Sequence, residues 1–354
     1  MNETTHLQNR DQSRRKYIFV CGLQRSGTSV LGRNIARLEN CTGFKNTGVL
    51  MDEGRFLQDV YPFDGQFGEA GRFRFDPRAH LTETSEFLTP ENIASLRTSW
   101  HARWDASKSI CVEKTPGNLL ITRFLQAAFP DSYFVVIWRH PVPVSISTQR
   151  WKVSIRPLHS LFEHWLHCHQ LFDEDRKYLK HMYALRYEDY VENPAKYHEE
   201  IAAFIGTRVP DPPTQDTFRY VAQWRNPRGV RVPEGAMENL TSVHNQKYFS
   251  CWSDLLNTSL FKPYYRYIAA KYEPEFAKYG YSLTKGFGLK EACFQRAART
   301  SPVVGNLYSL MADACAFVVR LATRSKGYIK RQIKARLPEP VKMRIKCLLW
   351  KSVS

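Results

Sequence analysis

With 354 residues, 43% of them hydrophobic and 13% aromatic, the chain is long enough to bury a full α/β core. Its formal net charge of +17 is uneven: from Lys285 to Lys351 there are 15 Lys/Arg against 3 Asp/Glu, so +12 falls in the tail and +5 on the body. A basic tail with no recognised nucleic-acid motif gives no reason to expect nucleic acid as a partner. The eight cysteines are scattered without a CxxC pair, several inside apolar runs, and read as reduced thiols rather than a disulfide framework.

Residues 1–15 are polar and read as a flexible N-terminus with no apolar signal segment, so a cytoplasmic protein is expected. The run Tyr17 to Cys21 is β-branched and aromatic, and it feeds the turn Gly22-Leu23-Gln24-Arg25-Ser26-Gly27-Thr28-Ser29. Val30, Leu31, Ile35 and Leu38 follow at helical spacing. Strand, glycine-containing loop and helix in this order place backbone N–H groups at a positive helix end, a cradle for anions. The spacing matches a nucleotide P-loop except that Thr28 stands where the lysine would be, and the loop's basic residue is Arg25. The expected ligand is therefore a phosphate- or sulfate-bearing nucleotide other than Mg-ATP.

Strand-like runs at 110–112, 133–138 and 182–186 alternate with helical stretches, which predicts an α/β fold with a central parallel sheet between helical layers. The run 133–138 ends in Arg139-His140-Pro141, a helix opens at Pro141 and Pro143, and Ser147 follows eight residues after Arg139. A guanidinium at a strand end and a hydroxyl early in the next helix can grip one phosphate. His159, His164, His167, Cys168 and His169 sit on an apolar helical stretch, with no other ligand set at zinc spacing, so no metal is expected.

These segments together resemble the P-loop sulfotransferases that use 3′-phosphoadenosine 5′-phosphosulfate (PAPS), particularly the bacterial and Golgi-type carbohydrate or tyrosylprotein enzymes. The resemblance covers roughly residues 16–284. It implies that Arg25, Ser26, Gly27, Thr28 and Ser29 bind the 5′-phosphosulfate, and that Arg139 and Ser147 bind the 3′-phosphate. Glu113-Lys114-Thr115-Pro116 resembles a turn that precedes a helix in many members, with Lys114 there either to orient phosphosulfate or to pair with Glu113, and Leu185 to Tyr190 resembles the turn whose tyrosine, here Tyr187, lies near the adenine. Relatives use a glutamate shortly after the first helix as the base. Glu53 is the leading candidate here, and Asp52, Glu113 and His80 are the alternatives.

The chain departs from the family pattern at Gln24, where proline is common, and at Pro143, where an acid is common. It also lacks a clear late glycine loop, for which Arg228-Gly229 and Lys247 are the substitutes.

The reaction implied is in-line transfer of a sulfuryl group to a hydroxyl of a glycan, glycolipid or related lipid-linked acceptor. Arg25 would clamp the developing charge, and Trp104, Trp151 and Tyr61 would serve either as sugar platforms or as core. The rival readings are a P-loop kinase, against which the missing loop lysine argues, and a non-catalytic membrane-associated binding protein. Residues 285–354 read as a basic, amphipathic helical extension. It suits either an anionic membrane surface, peripheral to its inner face, or a solvated appendage.

Overall fold

The computed structural model describes residues 15–152, 157–211 and 242–311, with residue 314. Five strands form one parallel sheet: β1 (Lys16–Cys21), β2 (Cys41–Gly43), β3 (Ile110–Lys114), β4 (Ser132–Trp138) and β5 (Met182–Arg186). Their order is β2-β3-β1-β4-β5, so the chain reverses its winding direction at β1, between β3 and β4. Ligands of open parallel sheets sit outside the carboxyl ends of the strands at such a switch point.

The helices, in chain order, are α1 (Thr28–Ile35), α2 (Pro90–His101), α3 (Thr122–Ala128), α4 (Pro141–Lys152), α5 (Leu158–Asp175), α6 (Tyr187–Glu192), α7 (Pro194–Ile205), α8 (Ser242–Asn257), α9 (Lys262–Ala277) and α10 (Glu291–Ala298). A further helical stretch runs over 302–311.

The strands are apolar on both faces, as a sheet covered on both sides requires. Tyr17, Phe19, Cys21, Phe134 and Val136 point into one core, with Trp100 and Trp104 near α2, Trp165 of α5 and Trp252 of α8. Ile18, Val20, Val135 and Ile137 point into the other, against Leu31 and Ile35 of α1 and Ile201 and Ile205 of α7. This is the three-layer α/β/α arrangement expected.

Proline at the first helical position, behind a capping side chain, starts two helices. Thr89 accepts from the Asn92 N–H ahead of α2, and Asn193 from the Lys196 N–H ahead of α7. The strand β2 was not foreseen. It has three residues, too few to show a period, and forms only because Cys41 to Gly43 pair with Ile110 to Val112. Trp104 and Tyr61 are core residues and not sugar platforms: Trp104 stacks on Phe44 and donates to the Val112 carbonyl, and Tyr61 packs edge-on against Phe124. The side chain of Trp151 lies outside the described residues.

The six described cysteines are free. Among the described residues, no helix is long and apolar enough to cross a membrane.

Candidate active site

The loop between β1 and α1 crosses the sheet at the switch point. Gly22 passes so close to β4 that an added Cβ would lie 2.3 Å from the Ile137 carbonyl oxygen. Beyond it, Arg25 (φ 74°) and Gly27 (φ 99°) are both left-handed and flank Ser26, whose own N–H closes the turn on the Leu23 carbonyl at 3.1 Å. Gly27 has a second constraint, because a Cβ there would meet the Tyr187 ring at 2.7 Å. The first turn of α1 carries no acidic residue and no capping side chain. Its leading N–H groups have no partner within the helix and carry the positive end of its dipole. The Ser26 hydroxyl is buried with no hydrogen-bond partner among the described residues. Polar hydrogens without an acidic residue in that first turn make a fitting seat for anionic oxygens.

Arg139 extends from the end of β4 beneath this loop and is 2% exposed. It donates to the Arg25 carbonyl at 2.8 Å and, through Nε, to Asn245 Oδ1 at 2.9 Å, with Nη2 on the same oxygen. Its guanidinium lies 4.1 Å from the centre of the Tyr187 ring. Glu188 organises the surroundings, accepting from the Asn245 amide, the His140 N–H and the Tyr281 hydroxyl, each at 3.1 Å. Burial pulls the Arg139 pKa below its ordinary value, opposed by Tyr187 and Glu188, and burial pushes the Tyr187 phenol up to about 12. Ser147 accepts from Arg25 Nε at 2.7 Å, so it meets the loop arginine rather than Arg139. Arg25, Arg139, Ser147 and Tyr187, read separately along the sequence, thus converge on one loop.

The segment after β2 brings Glu53 to the neighbouring strand end. Glu53 is buried and sits between Lys114 Nζ at 2.8 Å and Arg55 Nη2 at 2.7 Å. Arg55 also pairs with Asp64, and Asp64 accepts from the Gln24 side-chain amide. Alternating charges therefore link Lys114, Glu53, Arg55 and Asp64 to the loop residue next to Arg25. Gln24, unusual at its position, is the link that a proline could not make.

The other three candidate carboxylates or bases are engaged elsewhere. Asp52 accepts from the N–H and hydroxyl of Thr47, His80 pairs with Asp175 at 2.9 Å, and Glu113 is buried against Gly54. Glu113 accepts from the Gly54 N–H at 2.8 Å, the Thr115 hydroxyl at 2.6 Å and the Asn118 amide. Burial pushes its carboxyl up to about 7, although the Thr115 and Gly54 donors and the Lys114 charge oppose the rise.

Sequence reasoning missed Asn245, Arg55 and Asp64. None lies in a motif, and each acts only through a residue distant in sequence. The histidines of α5 have local partners: His164 and His167 contact Phe73 and Phe75, His159 meets the Tyr264 hydroxyl, and His169 stacks on Trp165. Lys247 is exposed on α8, and Arg228-Gly229 lies outside the described residues.

A parallel sheet whose first strand runs into a lysine-free, arginine-bearing glycine loop defines a P-loop-like α/β protein. The Sulfotransferase family model matches residues 17–211, more than half of the chain, and the chain belongs to that family.

Among solved structures it is similar to a sulfotransferase from Mycobacterium tuberculosis, at 15% identity over 59% of this chain and 72% of that one, TM-score 0.38. It is also similar to the sulfotransferase domain of the Synechococcus olefin synthase, at 18% identity over 56% and 76%, TM-score 0.38. A third is a sulfotransferase from Alicyclobacillus acidocaldarius, at 14% identity over 67% and 91%, TM-score 0.36. The curated proteins give no match.

Proposed function

We propose that the protein transfers a sulfuryl group from 3′-phosphoadenosine 5′-phosphosulfate to a hydroxyl of a glycan, glycolipid or related acceptor. The observation that supports this most directly is the Arg25–Gly27 loop: a polar-hydrogen concavity at a helix N-terminus, without the P-loop lysine, joined by hydrogen bonds to both Arg139 and Ser147. The donor supplies an activated sulfuryl group on a phosphate leaving group. The protein must therefore absorb negative charge at the leaving oxygen and remove the acceptor's proton.

Arg25 and the N–H groups of Gly27, Thr28 and Ser29 take the first task. Glu53 takes the second. Lys114 donates to one of its oxygens and Arg55 forms an ion pair with the other, which orients the carboxylate. Arg139 and Ser147 are assigned to the 3′-phosphate, and Tyr187 to the adenine side of the site. The acceptor class rests on the family resemblance alone.

The test is a calorimetric titration with adenosine 3′,5′-bisphosphate beside Mg-ATP, followed by turnover of wild type and Arg25→Ala with PAPS. Micromolar binding of the bisphosphate without binding of ATP, and a loss of about 10²–10³ in turnover for the variant, are expected. Binding of ATP alone would overturn the donor assignment in favour of a kinase, and binding of neither would point to a non-catalytic protein. Near-normal turnover of the variant would remove Arg25 from the mechanism.

A further inference from the structure

The helical stretch 302–311 docks on the domain by one side and presents its apolar side outward. Gly305 is buried so tightly against Tyr267 that an added Cβ would meet the ring at 2.1 Å, and Tyr308 packs on the large core cluster. At 100° per residue the opposite side carries Val303, Leu307 and Leu310, with Met311 beside them. Val303 is 78% exposed, Leu307 54%, Leu310 65% and Met311 51%. A helix held by its back and apolar on its front needs an occupant for that front.

The charge around the stripe selects the occupant. Exposed Lys285, Lys290, Arg296 and Arg299 precede it, with Glu291 as the one acid between 285 and 311. From residue 312 to 351 the sequence adds 11 Lys/Arg against 2 Asp/Glu. A second copy of the chain would bring two such basic regions together, which like-charge repulsion opposes. A nucleic acid would answer the charge and leave the leucines without a partner. An anionic lipid surface answers both, because it takes an apolar helix face into the acyl boundary and attracts flanking Lys/Arg.

We propose that the 302–311 helix is an interfacial anchor that seats this sulfotransferase on an anionic membrane surface through Val303, Leu307 and Leu310. This inference is independent of the donor and acceptor proposed above.

The test uses the full chain in co-sedimentation with phosphatidylcholine vesicles, with and without phosphatidylserine, at low and high salt. Wild type is compared with the double variant Leu307→Glu/Leu310→Glu. Both leucines are exposed, so an unchanged unfolding midpoint is expected and establishes that the variant is folded. Wild type is expected to sediment with the phosphatidylserine vesicles, less at high salt, and the variant to lose at least about tenfold in binding. Wild type remaining in the supernatant at every composition would overturn the proposal. So would a variant that sediments as wild type does, since the basic tail alone would then be responsible. A wild-type dimer that the variant dissociates would assign the stripe to a second copy instead.

Discussion

Replacing Glu113 by glutamine removes a carboxyl that burial holds at about 7, against an ordinary value of 4.5. Below pH 4.5 the group is protonated in the folded and the unfolded chain, and it contributes no pH dependence. Between 4.5 and 7 the folded protein keeps the proton that the unfolded chain releases, so stability falls as pH rises, by about 1.4 kcal/mol per pH unit at most. Above 7 both states are ionised and the loss is complete, at about 3 kcal/mol in all. Integrated between pH 5 and pH 8, the wild type should lose about 2.5 kcal/mol relative to Glu113→Gln.

The glutamine oxygen still accepts from Gly54 and Thr115, and a flip of the Asn118 amide satisfies one of the two new N–H groups, so the variant should fold. Urea unfolding of both proteins at several pH values across this window measures the difference directly. A wild-type-minus-variant difference that stays constant with pH would refute the reasoning. It would mean that the three donors offset burial and leave Glu113 at its ordinary value.

Gly27→Ala should weaken bisphosphate binding by at least about tenfold, because the left-handed conformation costs about 1–2 kcal/mol and the new Cβ meets Tyr187 at 2.7 Å. Wild-type affinity in calorimetry would show that the loop relaxes freely. Arg139→Lys keeps the charge but loses the fork that bonds Asn245 and the Arg25 carbonyl together. Bisphosphate affinity should fall by about 10–100-fold, and an unchanged dissociation constant would separate Arg139 from the nucleotide. Glu53→Gln should bind the bisphosphate normally while turnover drops by about 10²–10⁴. Retained turnover would transfer the base role to another group.

The strand-loop-helix unit that carries Arg25 and Gly27 is legible in the chain, because an apolar run, a glycine spacing and a 3.6-residue period are all short-range signals. The same holds for β4 with Arg139 at its end. Glu53 was separable from Asp52 only through the family resemblance, and the structure gives the two different surroundings: Asp52 closes its own turn on Thr47, whereas Glu53 reaches Lys114 and Arg55.

Which side chains meet across the fold was decided elsewhere. Arg139 finds Asn245 at a separation of 106 residues, and Arg25 finds Ser147 at 122. The short strand β2 exists only because β3 offers it a partner, and Trp104 and Tyr61 are core because α2 and α3 close over them. Periodicity and turn chemistry depend on neighbours along the chain, so the sequence alone determined the four longer strands, the helices that follow them and the loop. Ion pairing and burial depend on neighbours in space, so only the tertiary structure decided that Gln24, Asp64, Arg55, Glu53 and Lys114 form one connected network beside the anion loop.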